Sequence, residues 1–375
     1  MAPVILTYIS MIFLGLFLHN IRHPAHRSQA NNKLTWISFF LGLLLIIGLI
    51  FSNNIVYGFQ KSLFFFIINI PLFLIPYFLT NPIERFYNLL IAAFSAGIVL
   101  AIISFTSPNA YTIMPTRFSP TESVNPIFLA RSLGISALCG VCVFASTNRR
   151  LIKVIIILAI LFMIPPMVWT LSRGPLLGFF LIVLIYYFIQ PRVQLWRKLA
   201  AMGIGLAVGA FFIIRFASGI AERLTVETVA GEGSTLFRIL SWLQAIQDFA
   251  GAPLTGIGTG SFFLETPWIP ILYPHNLVLE FASENGILGL ILIILFLIYT
   301  IQLGIKNLKY FHNIVDNKNV QLSIGLLCLF LFALWNAMFS GDVFKNEIVW
   351  LSSGMITSIY FGVVGQERTV KPIES

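Results

Sequence analysis

The chain has 375 residues, of which 58% are hydrophobic and only 10% are charged, and its mean hydropathy is +0.91. A soluble domain of this length needs more charged surface, so the composition indicates an integral membrane protein. The formal net charge of +9 does not indicate a nucleic-acid partner, because the basic residues cluster in short segments between apolar runs, as membrane insertion requires.

Apolar runs long enough to cross a bilayer recur along the whole chain. They predict an all-α fold, a polytopic transmembrane helix bundle of about 11–12 spans with one large outer loop that contains short helices. The expected organisation is one integral membrane domain, with N-terminal spans in 1–216, the loop region in 217–285 and C-terminal spans in 286–375. The first run follows no basic segment and has no small-residue cleavage site, so it is expected to remain a span. The predicted spans are 4–19, 34–52, 60–80, 88–106, 126–147, 151–171, 175–190, 198–216, 286–305, 320–339 and 346–365.

The distribution of lysine and arginine orients these spans. Fifteen of the 23 basic residues lie in segments that follow odd-numbered spans, together with only four of the fourteen acidic residues. Because cytoplasmic loops carry the excess of Lys and Arg, these segments are expected in the cytoplasm, with the N-terminus outside and the C-terminus inside.

A tight hairpin is predicted within the apolar run 151–190. As one helix this run would measure about 60 Å, twice a bilayer core, and basic clusters flank it on both sides. The run must therefore turn back, and its polar break is Ser172-Arg173-Gly174-Pro175, where Gly permits a tight turn and Pro can begin the next helix. Arg173 is thus predicted at the outer surface.

The longest outer segment, about 217–285, contains a predicted amphipathic helix from Ser234 to Phe249. Ser234 is of a type that caps helix N-termini, and Leu, Ile and Phe occupy the faces away from the polar one. The helix is expected to lie on the membrane interface or against the bundle. Its polar face holds Arg238, Ser241, Gln244 or Ala245, and Asp248.

His275 is the one histidine of five that the predicted topology places outside. Asn276, Glu280 and Glu284 lie four residues apart, so a helix would place these three on one stripe. Together with His275 they would present an imidazole and two carboxylates at the mouth of the bundle. The alternative is an ordinary helix start with polar residues in the headgroup zone.

Several arginines favour a functional site over that alternative. Arg131 lies more than a turn inside a predicted span and Arg215 near the outer end of another, and a buried membrane charge is costly unless paired or solvated. Arginine matches phosphate oxygens in a bidentate fork, so the expected ligand is a membrane-embedded phosphate or diphosphate. Eight cations are predicted on the outer side, some as partners of outer carboxylates: Lys61, Arg117, Arg131, Arg173, Arg215, Arg223, Arg238 and Lys345.

Other motifs carry less information. Cys139 and Cys142 have C-x-x-C spacing but lie inside a predicted span, where they are helix neighbours rather than an exposed redox pair. The segment Gly256-Ile-Gly-Thr-Gly260 lacks the Gly-Lys-Ser/Thr of a phosphate-binding loop and is expected to be a flexible turn. There is no H-E-x-x-H, and one outer histidine is a poor start for a zinc site, so neither a metal nor a cofactor is expected.

Residues 165–295 carry three motifs in order. They are Ser172-Arg-Gly-Pro-Leu-Leu-Gly178, a large loop with Arg238, Trp242 and Gly256-Ile-Gly-Thr-Gly, and Pro274-His-Asn-Leu-Val-Leu-Glu280 followed by Glu284-Asn-Gly-Ile-Leu-Gly289. Their combination resembles the O-antigen ligase and O-antigen polymerase superfamily. The chain departs from the ligases in having eleven predicted spans where they have twelve.

The resemblance implies a metal-independent, inverting glycosyltransferase in the bacterial inner membrane, with its active site facing the periplasm. It would move a glycan from undecaprenyl diphosphate to an acceptor sugar hydroxyl, on a lipid-linked repeat or on the lipid A core. Membrane lipids are expected partners, a chain-length regulator protein is a further one, and nucleic acid is not.

The resemblance also implies roles for individual residues. The family's two arginines and its histidine match Arg173, Arg238 and His275. Arginines would neutralise the leaving diphosphate, and His275 would accept the proton of the attacking hydroxyl. The further candidates are Arg131 and Arg215 for the diphosphate, and Glu280 and Glu284 to orient or replace the histidine.

Four functions remain open at this point. A polymerase is favoured slightly by the Pro-His-Asn-x-x-Leu-Glu form with a following Glu-x-Gly, ahead of an O-antigen ligase and of a transferase acting on protein. A transporter or flippase of lipid-linked sugars is disfavoured, because no pair of broken helices occurs in matching halves of the chain.

Overall fold

The computed structural model describes residues 32–79, 82–107, 111–112, 118–119, 125–190, 193–200, 203, 235–266 and 270–364. Within these residues the fold is all-α and polytopic, as predicted. A single two-stranded antiparallel ribbon is described there, with Tyr111–Thr112 paired to Phe118–Ser119. The helices are α1 (Lys33–Ile47), α2 (Ile55–Phe64), α3 (Pro82–Thr106), α4 (Pro126–Ser146), α5 (Arg150–Trp169), α6 (Arg173–Ile189), α7 (Thr235–Gly251), α8 (Leu277–Asn313), α9 (Asn317–Ala337) and α10 (Glu347–Ile359).

Nine apolar helical segments of the described chain correspond to predicted spans. Seven are long and apolar enough to cross a membrane, and the segments Arg173–Ile189 and Glu347–Val363 are shorter. The predicted span 4–19 and most of the predicted span 198–216 lie outside the described residues. The division at residues 216 and 285 stays a prediction.

The second span is irregular. After α2 the chain passes through a π-helical turn, Phe65–Asn69, a turn of α-helix, Ile70–Leu74, and a 3-10 turn, Ile75–Phe78. Pro71 explains the irregularity, because it has no amide hydrogen to donate to the preceding turn.

The chain divides into two compact units. The first comprises Met1–Thr80, Ile214–Ile305 and Ala337–Ser375, and the second comprises Asn81–Ile213 and Lys306–Asn336. Each unit is described by itself below.

Small residues allow close helix packing in the second unit. A Cβ atom on Gly97 would lie 2.2 Å from the Ser136 side chain, and one on Gly134 would lie 2.6 Å from the ring of Phe332. Such close approach is how helices associate within lipid, where there is no hydrophobic drive between them. In the first unit aromatic side chains do the packing, with Trp350 against Phe65 and Phe296 at 4.9 and 4.7 Å between ring centroids.

Two predicted local features are confirmed. α5 ends at Trp169 and α6 begins at Arg173, so the apolar run 151–190 is two helices with a break that includes Ser172, as predicted. The predicted loop helix is α7, and the predicted cap Ser234 lies outside the described residues. Hydrophobic length, local charge and the Gly-Pro turn predicted the break, and the amphipathic period predicted the loop helix.

Candidate functional site

His275 lies in a tight turn directly before α8. Its φ of 57° falls in the left-handed region, which a residue with a Cβ adopts only at a cost. Its half-buried ring meets the ring of Tyr273 edge-on, with 4.5 Å between the centroids. The backbone of this turn is therefore held in a conformation that glycine would favour, while the position carries an imidazole.

Asn276 fixes the turn from two directions. Its side-chain oxygen accepts hydrogen bonds from the amides of Val278 and Leu279, both at 3.1 Å, and so caps the first turn of α8. Its side-chain amide donates to the carbonyl of Met338 at 3.3 Å. One side chain thus ties the His275 turn both to its own helix and to the segment after α9.

α7 carries Arg238 onto the segment that contains His275. Phe237 packs in a core cluster with Phe262 and Ile271, and Leu279 packs against the same cluster. Ile271 and Leu279 stand four residues before and after His275, so the helix surface beside Arg238 rests on this segment. Arg238 is half-buried.

The faces of α7 agree with the predicted pattern. Ser241 and Ala245, on the predicted polar face, are fully buried, whereas Leu243 and Ile246 are each 51% exposed. Burial raises the pKa of the Asp248 carboxyl, and a hydrogen bond from Gln244 at 2.8 Å opposes that rise. The exposed apolar side is consistent with the expected membrane-interface location.

Glu280 and Glu284 bind the ammonium of Lys61. Both are buried, and the Lys61 Nζ atom lies 2.6 Å from Glu280 Oε1 and 2.7 Å from Glu284 Oε1. Lys61 itself is 0% exposed, and Asp342 is a third carboxylate at 3.7 Å. The predicted stripe therefore exists, but it faces a lysine inside the first unit. The catalytic assignment of the two glutamates stays a prediction, and their burial favours a positioning role.

The segment 338–346 surrounds this ion cluster. Tyr57, one turn before Lys61 on α2, donates a hydrogen bond to Asp342. The amide of Val343 donates to Glu280 Oε1 at 3.3 Å. The ammonium of Lys345 lies over the ring of Tyr273, 5.5 Å from its centroid. The segment therefore touches both the buried carboxylates and the neighbour of His275.

The Gly256–Gly260 segment packs closely against neighbouring backbone, so the expected flexible turn is wrong. Gly256, Gly258 and Gly260 all have positive φ, from 70° to 96°. A Cβ on Gly256 would lie 2.3 Å from the Glu284 carbonyl carbon, and one on Gly260 would lie 2.5 Å from the amide nitrogen of Gly58. Glycine is required because backbone meets backbone here. The amides of Ile257 and Gly258 also donate to the carbonyls of Ser283 and Glu284.

Arg173 and Arg131 belong to the second unit. Arg173 is half-buried in the first turn of α6, and the next carbonyl, that of Gly174, accepts a 2.8 Å hydrogen bond from Trp335. Arg131 is buried and donates to the carbonyl of Asn336 at 2.8 Å. The last residues of α9 thus contact both the first turn of α6 and the Arg131 side chain. The Arg131 guanidinium also suits the negative C-terminal end of α9. Arg215 lies outside the described residues.

The ion cluster includes residues that the sequence did not identify as site candidates. Lys61 was counted only as an outer cation, although a lysine near the start of an apolar span is a signal for a buried partner. Tyr57 and Asp342 gave no comparable signal. Among the described residues, no group of three His, Cys, Asp or Glu side chains could hold a metal ion. Cys139 and Cys142 are free thiols, buried within α4.

Comparison with known proteins gives two matches. Residues 158–294, which include Arg173, Arg238 and His275, match the family model described as O-antigen ligase. A protein of Rickettsia conorii (strain ATCC VR-613 / Malish 7) named "Putative polysaccharide ligase" is 26% identical over 276 residues. That alignment covers 69% of this chain and 63% of the relative, so the chain spans less than two thirds of the relative's length. Both matches support the superfamily that the motifs resemble.

Proposed function

We propose that this chain, which carries the O-antigen ligase family region at residues 158–294, transfers a glycan from undecaprenyl diphosphate to an acceptor sugar hydroxyl. The chain is a multi-pass membrane protein and an enzyme of the O-antigen ligase type. Its place in the bacterial inner membrane, with the site facing the periplasm, is part of the proposal. The lysine and arginine distribution supports that orientation.

The observation that carries the proposal is the fixed position of His275. Its backbone is held at a positive φ, and Asn276 anchors the turn both to α8 and to Met338. A residue kept in a costly conformation by its surroundings is typical of a functional position. Histidine titrates near neutrality, so it is the side chain best suited to accept a proton from a sugar hydroxyl.

The proposed reaction is one displacement. His275 accepts the acceptor's hydroxyl proton as the oxygen bonds to the anomeric carbon, and the bond from that carbon to the diphosphate oxygen breaks. Attack opposite the leaving group inverts the anomeric configuration, and the activated donor supplies the energy. No metal takes part in the proposed step, because the leaving diphosphate is neutralised by arginines.

Arg238 is the proposed diphosphate ligand of the first unit, because α7 rests on the segment around His275. Arg173 and Arg131 are proposed for the same chemical task in the second unit, from the sequence motif and from the costly position of Arg131 in a span. Arg131 already donates to a backbone carbonyl, so its loss is expected to affect folding as well as binding.

Two acceptors are proposed. The Pro-His-Asn-x-x-Leu-Glu form favours a lipid-linked repeat, hence a polymerase, with which a chain-length regulator protein would act. The matches to an O-antigen ligase model and to a putative polysaccharide ligase favour a ligase, for which the proposed acceptor is the lipid A core. Transfer to protein is a weaker alternative and a transporter of lipid-linked sugars is the weakest.

Complementation of a gene deletion tests the proposal. The deletion strain is supplied with the wild-type chain, His275→Ala, Arg173→Ala or Arg238→Ala, and surface polysaccharide is examined by gel. Loss of long chains with accumulation of lipid-linked polymer indicates a ligase, and a core bearing one repeat indicates a polymerase. Full restoration by His275→Ala and Arg173→Ala, at normal protein levels, would refute the catalytic assignment.

A further inference from the structure

We propose that Lys61, together with Tyr57, is a positioning residue for the His275 turn. The inference rests on the proposed role of His275 and goes beyond it, because both residues lie more than 200 positions earlier in the chain. Lys61 contacts no substrate in this proposal. It acts by holding the two elements that hold the turn.

The first of these elements is the start of α8. Lys61 Nζ binds Glu280 at 2.6 Å, and it binds both oxygens of Glu284, at 2.7 and 2.9 Å. The two carboxylates stand one and two turns after Asn276, the residue that caps this helix. Gly286 then leaves helical geometry, with φ 65° and ψ −157°, so residues 277–285 form a short stretch set apart from the rest of α8. The ammonium thus anchors the stretch whose first turn follows His275.

The second element is the segment 338–346. Its middle is bound at Asp342 by Tyr57 and, at 3.7 Å, by Lys61. Its beginning is bound to the turn through Met338, and its end reaches Tyr273 through the ammonium of Lys345. The turn is therefore held between two elements that share one anchor.

The helix that carries Lys61, α2, is itself held in place by close backbone contacts. On α2, Gly58 lies three residues before Lys61, and a Cβ there would come within 2.3 Å of the Thr259 carbonyl oxygen. The amide of Thr259 in turn donates to the carbonyl of Gly48. Because backbone contacts leave little room to slide, the position of α2 determines where the Lys61 ammonium lies.

An ion cluster suits positioning better than it suits stability. Burying a charged group in an apolar interior is costly, and apolar replacements of such clusters are often equally stable. Charged hydrogen bonds, in contrast, fix both distance and direction. A small displacement of a catalytic group is enough to lower a rate markedly, about 100-fold for 1 Å in unfavourable cases.

A kinetic double-mutant cycle tests the inference. Tyr57→Phe removes one hydroxyl and keeps the Lys61 contacts, so it is the main variant, and Lys61→Met is the stronger one. Each is made alone and with Asn276→Ala, which loosens the turn itself. Rates are measured in membranes of the deletion strain, with labelled lipid-linked glycan extracted from the same cells and normalised to protein amount.

The expected result is a change in turnover that depends on the turn. Tyr57→Phe should lower kcat roughly 3- to 10-fold, with KM for the donor unchanged within about twofold. In the Asn276→Ala background the same change should lower kcat by less than twofold. Lys61→Met should lower kcat further, with the same dependence. Lys61 lies over the Tyr57 ring, 5.3 Å from its centroid, and the matched control is a similar pair outside the cluster, Lys318 over Tyr87 at 4.6 Å. Lys318→Met or Tyr87→Phe should leave kcat unchanged.

Three outcomes separate the hypotheses. If Tyr57→Phe lowers kcat by the same factor with and without Asn276→Ala, it does not act through the turn and the inference is wrong. An unchanged kcat in Tyr57→Phe also overturns it. If His275→Ala keeps full activity, the proposed function fails instead.

Discussion

Lys61→Met and Glu284→Gln should destabilise the protein by clearly different amounts. Both changes remove the ion pair between the same two buried side chains, so a simple loss of one ion pair would predict similar effects. The charges around the pair predict otherwise. The cluster holds one lysine, Lys61, and three carboxyl groups, those of Glu280, Glu284 and Asp342.

The magnitudes follow from what each variant leaves behind. Lys61→Met leaves three buried carboxylates without their cation, and breaking a buried pair in this way costs about 3–5 kcal/mol of unfolding free energy. Glu284→Gln keeps the cation and removes one of the three acidic groups. It weakens charge-assisted hydrogen bonds, each worth about 1.5–3 kcal/mol, and the reduced repulsion offsets part of that loss. The glutamine variant is therefore expected to be the more stable one.

Thermal unfolding of the purified proteins measures the difference. Wild type and both variants are heated in the same detergent, and the unfolding midpoint is followed by tryptophan fluorescence. Lys318→Met, at an exposed position, serves as the control for loss of a lysine charge. A midpoint for Glu284→Gln at or below that of Lys61→Met would refute the reasoning from charge.

Four further predictions use the same unfolding measurement. Gly256→Ala should lower the free energy of unfolding by at least about 2 kcal/mol, because the added Cβ would collide with backbone atoms at a positive φ. Gly251→Ala, with nothing within 4 Å of the added Cβ, should be neutral or stabilising. Equal effects of the two changes would contradict this. Trp335→Phe should cost about 1 kcal/mol through its lost hydrogen bond, and an unchanged midpoint would count against that bond. His275→Gly should be about 1 kcal/mol more stable than His275→Ala, since glycine accepts the left-handed backbone, and the reverse order would contradict the assigned φ. Because the pKa of Asp248 is raised in the folded state, its charged form opposes folding. The unfolding midpoint of Asp248→Asn should therefore exceed that of wild type at neutral pH, and the difference should shrink as the pH falls through the folded pKa. A difference independent of pH would argue against the shift.

Much of the fold could be predicted because its determinants are local. The helix break at Ser172 followed from the length of an apolar run and from the basic clusters on both sides of it. The α7 helix followed from a periodic pattern, and its observed burial agrees with that pattern. Span length, charge asymmetry and helical period each operate over about 20 residues, which a sequence displays directly.

The internal partners of the candidate site could not be predicted in the same way. The spacing of Glu280 and Glu284 placed them on one stripe, but the stripe's partner, Lys61, is 219 residues away from Glu280 along the chain. No periodicity links residues so far apart, and three carboxylates around one lysine result from helix packing. The left-handed φ of His275 was equally hidden, because most histidines have a negative φ even though the residue is enriched in the left-handed region.

The two faces of the described segment 235–266 limit how it can be handled outside the membrane. On one side α7 exposes Ile239, Leu240, Leu243 and Ile246. On the other side Gly260 lies directly against the backbone of Gly58, on a transmembrane span. A recombinant fragment of residues 217–285 would therefore lose its inner support and keep an uncovered apolar stripe, which favours aggregation. We therefore expect that this fragment would not fold on its own, so antibodies or ligands against it are better selected on the intact protein in a lipid environment.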